Sequence, residues 1–365
     1  MGQAAMKHER GPLKLGVLTG GSDVPGLNSV IRAVVRTAVH RYGDDVVGIS
    51  NGWDGLLHPP ETWSLSPGDV RGMGRRGGTI LGSANRGTPF QQAEGGDRSA
   101  EVFESARWLG LDGLLCIGGD GSLAIAQRLF ERGLPVVGIP KAVANDMSGT
   151  DVTFGFATAV EIATDAIDKL QTTRESHHRA MYLEVYGRDA GWIALTAGVA
   201  GGADVILIPE LPYDPRSVAE VIERRAAEHK GSTIVLVAEG ARMAGEEPVD
   251  PEQLRHEGGA AHRAAERVHA IHPHDYRVTV LGHLQRGGDP VAQDRVLATR
   301  FGAAAVRAAH EGQWGKMVGL RGDELVLVPL AEAVGSLRRV TRESEAVWTA
   351  VSLGTSLGVS PGEIG

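Results

Sequence analysis

Short apolar runs along this chain are followed by glycine-rich loops and then by stretches with helical spacing. Residues 14–19 (KLGVLT) read as a buried strand and Gly20–Gly26 as its loop. Residues 28–41 then carry Val30, Ala33, Val34 and Ala38 on one helical face. The pattern returns at 113–117 (GLLCI), with loop Gly118–Ser122 and a helix over 123–132. It returns again at 135–139 (PVVGI), with a loop from Pro140 to Asp151 and a helix over 156–172. Further strands are predicted at 181–186, 204–208, 232–238 and 277–281, and 241–259 reads as a polar loop. Strands alternating with helices predict mostly parallel sheets covered on both faces, an α/β fold whose ligands sit outside the carboxyl ends of the strands.

Composition narrows the class. The chain has 365 residues, 42% hydrophobic and 22% charged, the profile of a globular protein long enough for two domains. Its 51 glycines cluster between apolar runs, as tight turns at strand ends require. A net charge of −8 argues against a general nucleic-acid or membrane partner, so any phosphate site must be a local concentration of arginine. One cysteine, Cys116, excludes a disulfide framework and predicts a reduced, cytoplasmic setting. The polar start Met1–Arg10 has no apolar signal segment, and no run reaches the length of a membrane span.

Three loops carry candidate chemistry. Gly20–Gly26 (GGSDVPG) either presents backbone amides and a helix N-terminus to an anion or is a plain strand-to-helix turn. In Gly118–Ser122 (GGDGS) an aspartate stands between glycines. The glycines let a phosphate approach the backbone, and Asp120 can hold Mg²⁺. Gly119-x-Gly121-x-x-Ala124 also fits a dinucleotide fingerprint, a pattern short enough to recur by chance. Lys141 follows a strand, where an ammonium can meet phosphate oxygens. Arginines flank glycines at Arg75, Arg76, Arg86, Arg188 and Arg286, and Arg179 and Arg277 stand just before strands. A guanidinium is a planar fork suited to phosphate, whereas an isolated surface arginine is usually only solvated. Glu239 can accept from sugar hydroxyls. His177-His178 and His272-x-His274 lack the carboxylates and cysteines of a zinc site, so no structural metal is expected there.

Taken together, the segments resemble the phosphofructokinase family, whose members use ATP or pyrophosphate. They are LTGGSDVPGLNSVIRAVVR (18–36), RGGTILGSANRG (76–87), IGGDGS (117–122), PKAVANDMSGTD (140–151), ESHHR (175–179), YGRDAGWIAL (186–195), AGGADVILIPE (200–210), VAEGAR (237–242) and LGHLQRGG (281–288). They occur in family order. The resemblance implies two three-layer αβα domains with the active site in the cleft between them. Residues 1–155 plus about 285–335 would bind nucleotide, and 156–284 plus about 336–365 would bind sugar phosphate. It also implies a homodimer or homotetramer in which some sugar-phosphate contacts cross a subunit boundary. Carried over, Gly21, Ser22, Arg86, Gly119, Gly121, Ser122 and Lys141 would bind nucleotide and Asp120 Mg²⁺. Arg179, Tyr186, Gly187, Arg188, Glu239, Arg277, His283 and Arg286 would bind a fructose 6-phosphate-like ligand. Family members with Asp where Gly121 stands tend to use pyrophosphate, so Gly121 favours ATP; Lys141 occurs in both branches and does not decide. Arg32 and Arg36 align with effector contacts of some members and are otherwise ordinary helix-surface arginines.

The chain departs from the family at the chemical centre. Where the family's loop reads Thr-Ile-Asp-Asn-Asp, this chain has Ala142-Val143-Ala144-Asn145-Asp146. The family's base, which takes the proton of the attacking hydroxyl, is thus Ala144, and its phosphoryl-binding Thr is Ala142. Ser22 replaces a loop glycine and Tyr186 a pocket methionine. Losing a general base costs roughly 10²–10⁴ in rate. Asp146 and Arg188 are the candidate catalytic groups that remain, with Asp146 a possible substitute base. Three readings follow: an ATP-dependent sugar-phosphate kinase of weakened activity, a silent regulatory paralogue that binds sugar phosphate, or an enzyme repurposed for a related sugar phosphate. The family likeness favours the first. A dinucleotide-dependent dehydrogenase rests only on the Gly119 fingerprint.

Overall fold

The computed structural model describes residues 11–84, 88–91, 96–177, 179–228, 232–247 and 258–360. The chain divides into two units. The first comprises Met1–Ala142, Met147–Gly155 and Gly287–Ser336, and the second Val143–Asp146, Phe156–Arg286 and Leu337–Gly365. No helix among the described residues is long and apolar enough to cross a membrane.

The first unit is built on a seven-stranded sheet of β1 (Lys14–Thr19), β2 (Asp45–Ile49), β3 (Thr62–Leu65), β4 (Gly113–Gly118), β5 (Val136–Pro140), β10 (Lys316–Arg321) and β11 (Glu324–Pro329). Its order is β11-β10-β5-β4-β1-β2-β3. The five inner strands run parallel, and β3 and β11 close the edges antiparallel. Every residue of β4 and β5 is buried, the uniform apolar signature of strands covered on both faces. Helices α1 (Leu27–Thr37), α2 (Ser99–Trp108), α3 (Asp120–Glu131) and α8 (Ala292–His310) belong to this unit. A Cβ on Gly302 would stand 2.7 Å from the Val30 carbonyl oxygen, so α1 and α8 approach too closely there for any side chain. At the end of α8 the His310 ring stacks on Tyr42 at 3.8 Å, and its Nε2 meets the buried Asp44 carboxylate at 2.9 Å.

The second unit holds a four-stranded parallel sheet of order β7-β8-β6-β9: β6 (Ala180–Val185), β7 (Val205–Leu207), β8 (Thr233–Ala238) and β9 (Tyr276–Val280). Around it lie α4 (Phe156–His177), α5 (Trp192–Gly201), α6 (Pro215–Ala227), α7 (Ala260–Ile271) and α9 (Glu345–Ser352). Tyr182, Val205, Leu207, Val235 and Val237 pack on one face against Val218 and Ile222 of α6 and Ala261, Ala264 and Val268 of α7.

The α/β class with mostly parallel sheets matches the expectation from the apolar runs. Several boundaries differ. The helix expected over 28–41 ends at Thr37 and continues as a π turn, Ala38–Tyr42, which stops at the left-handed Gly43. Gly118–Ser122 is not wholly loop: α3 begins at Asp120, because Gly119 is extended and frees the next residues to start the helix. Arg277 does not precede β9 but lies within it, paired beside Met181. Residues 241–247 are irregular as expected, whereas 248–257 of that segment fall outside the described residues.

Candidate functional site

Backbone loops form the candidate site of the first unit. Gly20 N–H donates to the Ile117 carbonyl at 2.9 Å and Gly21 N–H to Ala84 at 3.1 Å, so the loop after β1 lies along the end of β4. A Cβ on Gly20 would meet Ser122 Oγ at 2.5 Å, and Gly21 adopts φ +77°, a left-handed conformation that suits glycine. The two glycine loops therefore sit side by side. Trp53 Nε1–H donates to the Ser122 carbonyl at 3.3 Å and steadies the second of them. Lys141 N–H donates to the Gly118 carbonyl at 3.0 Å. The Lys141 side chain is buried, and its ammonium donates to the Ser22 carbonyl. Gly21, Ser22, Gly119, Gly121, Ser122 and Lys141 are thus gathered by β1, β4 and β5; Arg86 lies outside the described residues.

Asp120, Gly121 and Ser122 make the first turn of α3, where unpaired amides and the helix dipole favour an anion or a cation–phosphate pair. Burial raises the Asp120 carboxyl above the usual aspartate range. A Cβ on Gly121 would meet nothing within 4 Å. This donor set, one half-buried carboxylate beside open space at a helix start, fits Mg²⁺ carried in with a phosphate.

In the second unit the site is built from side chains. Gly187 has φ +144°, and a Cβ on Gly240 would come 1.9 Å from the Arg188 carbonyl, so the loops after β6 and β8 touch backbone to backbone. Glu239 N–H donates to Val185 O at 2.9 Å and Gly240 N–H to Gly187 O at 3.1 Å. Gln285, fully buried, accepts from Tyr186 N–H at 2.8 Å and donates to Ala159 O at 3.2 Å. That amide fixes where Tyr186 leaves the strand. Arg286 reaches the Tyr186 hydroxyl at 3.4 Å, and the His283 ring stands edge-on to Tyr186, centroids 6.3 Å apart. Arg188 donates to Asp189 at 2.7 Å. Asp189 first, then Glu239 and Asp146, raise its affinity for its proton against the opposing effect of burial. Tyr186, Gly187, Arg188, Glu239, His283 and Arg286 are therefore together at the carboxyl ends of β6, β8 and β9, with Asp146 in the field of Arg188.

Arg179 and Arg277 are elsewhere. Arg179 precedes β6 and Arg277 is the second residue of β9, so both lie at the amino ends of these strands. All six residues of β6 follow Arg179, and four follow Met181, with which Arg277 pairs, so about 13 Å or more of strand separates both from the carboxyl end that leads to Arg188. Both are bound to one carboxylate: Asp275 accepts from Arg179 at 2.5 Å and from Arg277 at 2.7 Å, which holds the Asp275 carboxyl below its ordinary range. Sequence reasoning did not single out Asp275, Asp189 or Gln285. Gln285 sits inside the LGHLQRGG segment between His283 and Arg286, and that adjacency is its signal in the sequence.

A phosphofructokinase family profile matches residues 14–309. An ATP-dependent 6-phosphofructokinase of Chloroflexus aggregans is 49% identical over 352 residues, covering 94% of this chain and 98% of the relative. A pyrophosphate–fructose 6-phosphate 1-phosphotransferase of Amycolatopsis methanolica is 48% identical over 337 residues, covering 91% of this chain and 97% of the relative. The solved phosphofructokinase of Saccharomyces cerevisiae superposes with TM-score 0.75 at 33% identity, over 95% of this chain and 48% of that longer one.

Proposed function

The chain belongs to the phosphofructokinase family, and we propose that it is an ATP-dependent phosphotransferase acting on fructose 6-phosphate or a related sugar phosphate, with a transfer step weakened at its base. One observation carries the reading: Tyr186, Arg188, Glu239, His283 and Arg286 are gathered by short hydrogen-bonded loops at the carboxyl ends of one parallel sheet. Such strand ends are where ligands of α/β sheets bind. Arginines 188 and 286 would hold the phosphate and carboxylate 239 the sugar hydroxyls. In the first unit, Gly21, Ser22, Gly119, Gly121, Ser122, Lys141 and Arg86 would hold the nucleotide. Asp120 would hold Mg²⁺, which when bound neutralises phosphate charge. The open space at Gly121 supports ATP over pyrophosphate, although relatives of nearly equal identity are named for either donor.

Ala144 brings no proton acceptor, and Ala142 no hydroxyl, to the loop that the resemblance assigns to transfer. Phosphoryl transfer relies mainly on positioning and charge, so a slow reaction survives the loss of a base. The same residues support a second reading, a sugar-phosphate-binding paralogue without turnover. The positions of Arg179 and Arg277 support a homodimer or homotetramer, since a second copy could bring its strand amino ends to a carboxyl-end site. The test is an assay of the purified protein with fructose 6-phosphate and either ATP·Mg²⁺ or pyrophosphate, beside the triple variant Ser22→Gly, Ala142→Thr, Ala144→Asp. The expected result is slow ATP-dependent turnover that rises by about 10² or more in the variant. Turnover of the native chain at ordinary kinase rates of about 1–100 s⁻¹ would refute the weakened base. Binding of fructose 6-phosphate with no turnover by either protein would favour the silent paralogue.

A further inference from the structure

Residues 143–146 are grouped with the second unit, although Lys141–Ala142 before them and Met147–Gly155 after them are grouped with the first. Within the second unit two of these four residues, Asn145 and Asp146, are held by one arginine. Arg338 N–H donates to the Asp146 carbonyl at 2.9 Å, and Arg338 Nη1 donates to the Asn145 carbonyl at 3.3 Å. Asn145 is buried and has φ +54°, the left-handed region that Asn tolerates better than most residues. A peptide in that conformation keeps its place only when its surroundings hold it.

Arg338 is itself braced. Its guanidinium carbon lies 4.1 Å from the centre of the Trp192 ring, a cation–π contact, and Trp192 Nε1–H returns a hydrogen bond to the Arg338 carbonyl at 2.9 Å. Trp192 opens α5, and the residue before it, Gly191, donates to both carboxylate oxygens of Glu210 at 3.1 Å. Glu210 also accepts from Val340 N–H at 2.8 Å. One carboxylate thus sets the register of Trp192 and of the segment that carries Arg338.

We infer that Arg338, braced on Trp192, is a positioning residue for the 143–146 loop, holding two successive carbonyls so that the Asp146 carboxylate keeps its place relative to Arg188. With Ala144 in the base position, Asp146 is the acidic side chain left on this loop, so the bracket acts on the group that matters most there. The inference rests on the reading above, in which this loop faces the phosphoryl group being transferred.

The test uses the full chain and its Arg338→Met, Arg338→Lys and Trp192→Phe variants. Hydrogen–deuterium exchange reports the amide of residue 338, which is bonded to Asp146. Exchange is expected to be about tenfold faster or more in Arg338→Met and Trp192→Phe, and within about threefold of native in Arg338→Lys, which keeps a cation on the ring. Calorimetry with fructose 6-phosphate and with fructose 1,6-bisphosphate separates positioning from general structure. Arg338→Met should leave the first affinity within about twofold and weaken the second about tenfold, because only the bisphosphate carries the group that the loop addresses. Unchanged exchange overturns the bracket, and so does an equal loss of both affinities, which would mark Arg338 as a general structural residue. If Arg338→Met does not fold, the Trp192→Phe and Arg338→Lys pair decides by the same two criteria. If the native chain binds neither sugar phosphate, the proposed function fails and the positioning role with it, whatever the exchange result.

Discussion

The candidate phosphate sites of the two units are built in different ways. The first unit offers mostly backbone: glycine loops stacked edge to edge, the opening turn of α3, and one buried lysine donating to the Ser22 carbonyl. The second offers side chains, Arg188 and Arg286 beside Glu239 and Tyr186, held by the buried amide of Gln285. A backbone cradle is set by chain path and tolerates substitution only where no Cβ collides. A side-chain cradle can be dismantled one charge at a time and is screened by salt. The departures that the resemblance implies, at Ser22, Ala142, Ala144 and Tyr186, do not fall on Arg188 or Arg286.

The largest expected effect tests the side-chain cradle. Arg286→Met should weaken fructose 6-phosphate binding by about 10–100-fold, the worth of a charge-assisted hydrogen bond, and leave nucleotide binding unchanged by calorimetry. Equal losses for both ligands would mean that the two cradles are not separable. Next comes Gly121→Asp, which places a carboxylate in the open space at the start of α3. ATP affinity should fall about tenfold by like-charge repulsion, with sugar-phosphate affinity within about twofold. Unchanged ATP binding would remove this turn from the nucleotide site.

A smaller effect concerns pH. Burial, helped by Glu239, raises the Glu184 carboxyl, although the Ala261 amide donates to it at 2.9 Å. A carboxyl whose folded pKa lies above its unfolded value binds more protons when folded. Its contribution is therefore complete at pH values below the unfolded pKa and is lost as pH rises through the folded one. Thermal melts should accordingly show Glu184→Gln gaining on the native chain from pH 4 to pH 7. A variant that loses ground to the native chain over that range would contradict the raised carboxyl. The smallest effect is at the strand amino ends. Asp275→Asn should release Arg179 and Arg277 and tighten inorganic phosphate binding about threefold at low salt, a change that calorimetry can follow.

Much of the site was legible because its residues lie in contiguous segments. GGSDVPG, GGDGS and YGRDAG each follow an apolar run, and each occupies the carboxyl end of a parallel strand. What escaped were residues whose role depends on a neighbour far along the chain. Gln285 works through Tyr186 and Ala159, Asp275 through Arg179, and Arg338 through Trp192 and Asn145. Strands β2, β3, β10 and β11 escaped as well: β3 and β11 are partly exposed sheet edges, whereas β2 and β10 are inner strands whose short apolar runs stand without a glycine-rich loop of the kind that marked the others. The start of α3 was missed because the extended backbone at Gly119, not a capping side chain, begins it.

By itself the sequence determined the class of fold, the glycine-rich loops at the strand ends and the absence of an aspartate at position 144. All of these are properties of residue type and local order, which spacing preserves. Only the tertiary structure decided that Arg179 and Arg277 share a carboxylate at the opposite strand ends from Arg188 and Arg286. It alone decided that Arg338 grips the loop of Asp146. The reason is physical: strand direction and long-range pairing set which side chains meet, and a one-dimensional pattern carries the chemistry of each residue without its partner.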